Sequence, residues 1–148
     1  MTLPRTILVP VDFSASSEVA LDYAVELAGK LDAKLYILNV IALSGLGVPE
    51  LGAALAPTVI DSMVRDSEAA LAKLADARRS NAQIADTLLR TGDARDIIIH
   101  TAEEVAADLI VMGTHGRRGV GRALLGSVAE SVVRTSPCPV LTIRERKR

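Results

Sequence analysis

The sequence predicts an α/β fold: a single open, parallel five-stranded sheet with helices on both faces, Rossmann-like and doubly wound. Three observations predict it. Short, apolar, β-branched runs of strand length recur along the chain. Between them lie longer segments whose apolar residues return at helical spacing. The links are short, and no repeat, linker or low-complexity stretch interrupts them. Strands that alternate with helices imply parallel pairing and right-handed crossovers. The order β-α-β-α-β-α-β-α-β therefore makes one domain of residues 1–148.

The first strand is Thr6 to Val11 (TILVPV), a continuous apolar run of the kind covered on both faces. Ser14 to Leu31 follows as a helix, with Ala20, Tyr23, Ala24, Leu27 and Leu31 at helical spacing and Ser14 or Ser16 as cap. Lys34 to Val40 (KLYILNV) is the second strand. Ile41 to Pro57 is apolar but broken by Gly45, Gly47, Pro49 and Gly52, which reads as a mobile loop and a candidate lid or partner surface.

Thr58 to about Arg79 returns to helical spacing through Ile60, Val64, Leu71 and Leu74. Gln83 to Leu89 is a weaker strand. Asp93 can cap a helix running through Ala107, with Ile97, Ile98, Ala102 and Val105 inward. Asp108 to Met112 (DLIVM) is the fourth strand and Pro139 to Ile143 (PVLTI) the fifth. Between them Gly126 to about Thr135 carries Val128, Val132 and Thr135 on one helical stripe.

Composition narrows the function. Apolar residues make up 49% of the chain and charged residues 24%, enough to build a core. Aromatics are only 2%, which removes the usual platform for stacking single-stranded bases. A net charge of −1 supplies no field toward nucleic acid or an anionic membrane. No apolar run is long enough to insert into a membrane. The single cysteine, Cys138, cannot close an internal disulfide and reads as a small apolar filler. The expected location is the cytoplasm. His100 reads as structural or exposed, and Arg144 to Arg148 as a solvated terminus.

The chemistry gathers between the fourth strand and the last helix. Gly113-Thr114-His115-Gly116-Arg117-Arg118-Gly119-Val120-Gly121-Arg122-Ala123-Leu124-Leu125-Gly126-Ser127 is glycine-rich and opens onto a helix. Glycines let the backbone turn and approach a ligand with no Cβ in the way. The helix start offers free N–H groups and the positive end of a dipole, an anion site for which phosphate is the usual occupant. Ser127 can add a hydroxyl, and Arg117, Arg118 and Arg122 positive charge. His115 adds a titratable ring, although a lone loop histidine is more often a bystander. This is not a Walker A loop: Gly121 to Gly126 has its spacing, but Ser127 stands where lysine is required. Nor is it the dinucleotide fingerprint, since Leu124 takes the third glycine position after Gly119 and Gly121.

The spacing Gly113-x2-Gly116-x9-Gly126-Ser127 resembles the ATP-binding signature of the universal stress protein family. The resemblance extends to Val9-Pro10-Val11-Asp12-Phe13-Ser14, to Leu38-Asn39-Val40 and to Ser136-Pro137-Cys138-Pro139-Val140-Leu141, so it spans essentially the whole chain. It implies a nucleotide site in which Pro10, Val11 and Asp12 line the adenosine end and Val40 meets adenine through its backbone. Met112, Gly113, Gly116, Gly126, Ser127 and Val128 then form the ribose and phosphate cradle. Asn39 replaces a common His, a change expected to matter little. The ligand implied is ATP, with AMP and ADP as alternatives, and Asp12 would share a Mg²⁺ with the phosphates. The resemblance also implies a homodimer formed through the last strand, Val140, Leu141 and Ile143.

Three functions compete at this stage. The first is a nucleotide-dependent regulator acting in stress. The second is a dimeric adaptor of the same fold that needs no nucleotide. The third, an enzyme, has less behind it: no metal spacing, nucleophile elbow or paired carboxylates are present. Adenylating relatives have glycines after the first strand, where Asp12 to Ser16 has none. A response-regulator receiver needs an acidic pair where Asp12 stands alone. Slow ATP hydrolysis or self-phosphorylation is left open.

Overall fold

The structure, a computed structural model, describes residues 2–42, 57–115 and 125–146. Among the described residues five strands, β1 (Thr6–Pro10), β2 (Lys34–Ile41), β3 (Gln83–Thr91), β4 (Leu109–Gly113) and β5 (Val140–Ile143), alternate with four helices. The helices are α1 (Ala15–Leu31), α2 (Pro57–Asp76), α3 (Ala94–Glu104) and α4 (Ser127–Thr135). All strand pairs are parallel, in the order β3-β2-β1-β4-β5.

The apolar runs form strands because both faces of the sheet are covered. Ile7, Leu8 and Val9 in β1 are fully buried, as are Ile110 and Val111 in β4. Ile7, Val9, Leu35, Ile37 and Val111 pack under α1 and α2, joined by Leu21, Ala24 and Leu71. Leu8, Leu38, Ile110 and Met112 pack on the opposite face under α3 and α4, against Ile98, Ala102, Ala129 and Val132. Period-two side chains thus feed two separate cores.

The elements end close to where the sequence places them, with physical reasons for the differences. Ser14 is the cap of α1, its hydroxyl accepting the Ser17 N–H, and Asp93 caps α3 by accepting the Arg95 N–H. Asp108 lies outside β4 and instead accepts the N–H groups of Arg5 and Thr6. Ile41 is a buried strand residue whose carbonyl takes the Gly92 N–H, so the break begins after it. The rest of the predicted lid loop falls largely outside the described residues.

Two residues of the predicted helical stripes face outward. Tyr23 is 47% exposed, because α1 sits on the sheet through Leu21, Ala24, Val25 and Ala28, a face turned away from it. Thr135 is exposed as well: α4 buries Ala129 and Val132, and Thr135 hydrogen-bonds back to the Ser131 carbonyl. Cys138 packs against the second core, and burial pushes its thiol above the ordinary range, as a filler requires.

Candidate functional site

The strand order puts β1 beside β4 at the centre of the sheet. The connection from β1 leads to α1 on one face and that from β4 to α4 on the other. Their divergence marks the carboxyl ends of these two strands as the switch point of the sheet, the place where open α/β sheets bind ligands in a crevice. Residues around Asp12 and around Gly113 therefore meet, as the sequence requires of a single site.

One wall is the turn from β1 into α1. Ser14 N–H donates to Asp12 Oδ1 at 3.0 Å, and Asp12 N–H donates to Ser17 Oγ at 3.3 Å. Ser17 Oγ–H in turn donates to the Ser14 carbonyl at 3.0 Å. Phe13 between them has φ 64°, a left-handed conformation that costs a bulky residue about 1–3 kcal/mol. The serine and aspartate bonds hold this turn in place, and with it the position of the Asp12 carboxyl.

The opposite wall is the end of β4 and the start of α4. Thr114 is buried, its N–H donates to the Ile143 carbonyl at 3.2 Å, and its carbonyl accepts the Gly126 N–H at 2.7 Å. That last bond staples together the two ends of the glycine-rich segment. Gly126 is the cap residue of α4 and brings no side-chain capping bond. The N–H groups of the first turn, which include those of Ser127 and Val128, thus take no bond from their own cap residue, the arrangement that suits an anion. Ser127 is exposed at the first helical position. His115 follows at the end of β4: its Nδ1 is 2.9 Å from Thr114 Oγ1, and its buried Nε2 has no hydrogen-bond partner among the described residues. Gly116, Arg117, Arg118 and Arg122 lie outside the described residues.

Gly113 has a packing role beside the one its motif suggests. A Cβ there would come within 2.5 Å of Ser16 Oγ and 2.9 Å of the Ser16 carbonyl oxygen. The missing side chain makes room for the first turn of α1. It lets that helix sit down on β4. Met112, Val40 and Val128 turn their side chains into the second core, which leaves their main chains for the rim.

Asn39, expected to matter little, is 5% exposed and donates from Nδ2 to the Val11 carbonyl at 2.8 Å. Val11 N–H donates to the Leu38 carbonyl at 2.7 Å, so the last residue before Asp12 is tied to β2 through both main-chain groups. No pattern in the sequence marks this bond, because its partners lie 28 residues apart.

Metal chemistry has less to work with. Among the described residues no three His, Cys, Asp or Glu side chains group to hold an ion. Asp12 Oδ1 already accepts the Ser14 N–H, so this carboxylate could serve a cation only together with ligand oxygens. None of the described helices is long and apolar enough to cross a membrane.

Residues 4–144 match the profile of the universal stress protein family. The chain is 33% identical to universal stress protein MJ0531 of Methanocaldococcus jannaschii over 147 residues, covering 99% of this chain and 85% of that protein. Its fold is similar to that of the universal stress protein UspA from Lactobacillus plantarum, with a TM-score of 0.85 at 29% identity, over 97% of this chain and 100% of the other. A universal stress protein solved in complex with cAMP has a TM-score of 0.70 at 26% identity, over 97% of this chain and 98% of the other. With the sheet order, the switch-point crevice and the Gly113 to Ser127 motif in agreement, this chain belongs to the universal stress protein family.

Proposed function

We propose that this protein is a cytoplasmic regulator that binds ATP, or its relatives AMP and ADP, and changes shape or partner according to what it holds. The observation that carries the proposal is the uncapped start of α4, stapled by the Gly126 to Thr114 bond beside the Asp12 turn. The dipole and first-turn amides of α4 favour phosphate there. The nucleoside end then falls against Pro10, Val11, Asp12 and the main chain of Val40. Met112 and Gly113 would line the ribose side and His115 the phosphate side, while Gly116 and Arg117 lie outside the described residues. The buried Nε2 of His115, without a partner among the described residues, supports this placement, since a buried polar nitrogen left unpaired is costly. The complex of a family member with cAMP supports nucleotide as the ligand class. A Mg²⁺ would enter with the phosphates and touch Asp12. Two copies would pair through β5, the edge strand carrying Val140, Leu141 and Ile143.

Mass spectrometry of ligand released from denatured, freshly purified protein should detect an adenine nucleotide. Calorimetry should then show ATP binding that Gly126→Val weakens by about tenfold or more, since a branched side chain would sit over the amides. Equal affinity in the two proteins would end the proposal. No nucleotide on purification and none on titration would favour the dimeric adaptor instead.

A further inference from the structure

We propose that Asn39 is a positioning residue for base recognition, acting by ending the β1–β2 ladder one bond early; the inference rests on the nucleotide reading above. In a parallel pair the residue that donates to one carbonyl accepts, through its own carbonyl, the N–H two residues further along the neighbour. Val11 donates to Leu38, so its carbonyl is the natural acceptor for the Val40 N–H. That bond is not made: β1 ends at Pro10, paired with Leu38, and the Val11 carbonyl takes the Asn39 amide. Beyond Val11 the chain turns away through the left-handed Phe13.

The consequence falls on Val40. Alternate residues of β2 direct their main chain to opposite neighbours. The Leu38 carbonyl points to β1 and the Ile41 carbonyl to β3, where it takes the Gly92 N–H. Val40 shares the orientation of Leu38. Its N–H and C=O therefore face the vacated β1 side, at the rim of the crevice, with its side chain anchored in the second core. One donor beside one acceptor matches adenine, which offers N1 as acceptor next to its N6 amino donor. Guanine offers the reverse, an N1–H donor next to the O6 acceptor, and meets like with like. Discrimination of this kind is strong because the wrong base leaves polar groups unpaired.

Amide hydrogen exchange and calorimetry test the chain of effects. In ligand-free wild type the Val40 amide should exchange about tenfold or more faster than that of Leu38, and ATP but not GTP should slow it. In Asn39→Ala the Val11 carbonyl becomes free for Val40. The Val40 amide should then be protected without ligand, and the preference for ATP over GTP should fall about tenfold, the worth of one hydrogen bond. Asn39→His, whose ring N–H can donate to the same carbonyl, should keep the preference within about threefold. A merely structural Asn39 would weaken both nucleotides alike and leave their ratio unchanged, which would overturn the inference. So would a Val40 amide already protected in ligand-free wild type, a measurement that decides the matter even if Asn39→Ala does not fold. Wild type that binds neither ATP nor GTP would instead overturn the nucleotide reading, and the base-recognition role with it.

Discussion

At the scale of single residues, Gly113 shows how one composition serves two purposes. A glycine after a strand can bare its backbone to a ligand or admit another element, and the sequence looks the same in both cases. Here the space beside it is filled by Ser16 at the start of α1. Gly113→Ala should therefore lower stability by about 1–3 kcal/mol, the usual cost of overpacking, read as a shifted urea midpoint without any ligand present. Ser16→Ala in the same chain should recover only part of the loss, because the Ser16 carbonyl oxygen also stands in the way. An unshifted midpoint would mean that α1 does not rest on β4 here. Nucleotide affinity in any Gly113 variant reports this packing first. Asn39 is the converse case: an ordinary polar residue in a strand whose use depends on a carbonyl far away in sequence.

At the scale of elements, α3 offers a test by pH. Asp93 caps it through the Arg95 N–H, and the Arg95 guanidinium hydrogen-bonds the same carboxyl at 2.8 and 3.1 Å. That side-chain bond, more than any other cause, holds Asp93 down to about 2, below the ordinary carboxylate range. A depressed acid adds stability above its unfolded pKa of roughly 4, and the contribution fades as pH falls through about 2. Both side chains are about half exposed, so solvent and salt trim the gain to about 1 kcal/mol or less. Asp93→Asn keeps the capping oxygen but not the charge. Its stability difference from wild type should shrink between pH 4 and pH 2, and a difference independent of pH would refute the ion pair's role. The elements themselves were legible from sequence because burial on both faces writes an unbroken apolar run. The facing of α1 was not: Tyr23 fits the helical period as well as Leu21 does, and only the position of the sheet decides between them.

At the scale of the whole molecule, the strand order leaves two edges, β3 and β5, and they are built differently. The order was beyond the sequence, since either direction of winding satisfies the same pattern of runs. In β3 the ladder to β2 skips Ala85, a bulge. The Gly92 N–H to Ile41 bond sets the alternation that turns the Thr87 N–H outward. Asp86 Oδ1 accepts that N–H at 2.8 Å, which removes a donor from any incoming strand and places a charge beside it. Bulges and edge charges of this kind block strand addition. In β5 the contacts of Ile110 with the Pro139 carbonyl and of Thr114 with the Ile143 carbonyl turn Val140 and Thr142 outward, and no charged residue lies within the strand. One receptive edge closes as a two-fold pair, whereas two would generate open chains. Light scattering should therefore find wild type as a dimer of fixed size. Thr142→Pro, which deletes an outward donor and no ladder bond, should yield a folded monomer. Asp86→Val should grow with concentration beyond a dimer, and the double variant should stop at two copies joined through β3. Asp86→Val that keeps the size of wild type at every concentration would show that the carboxylate guards nothing.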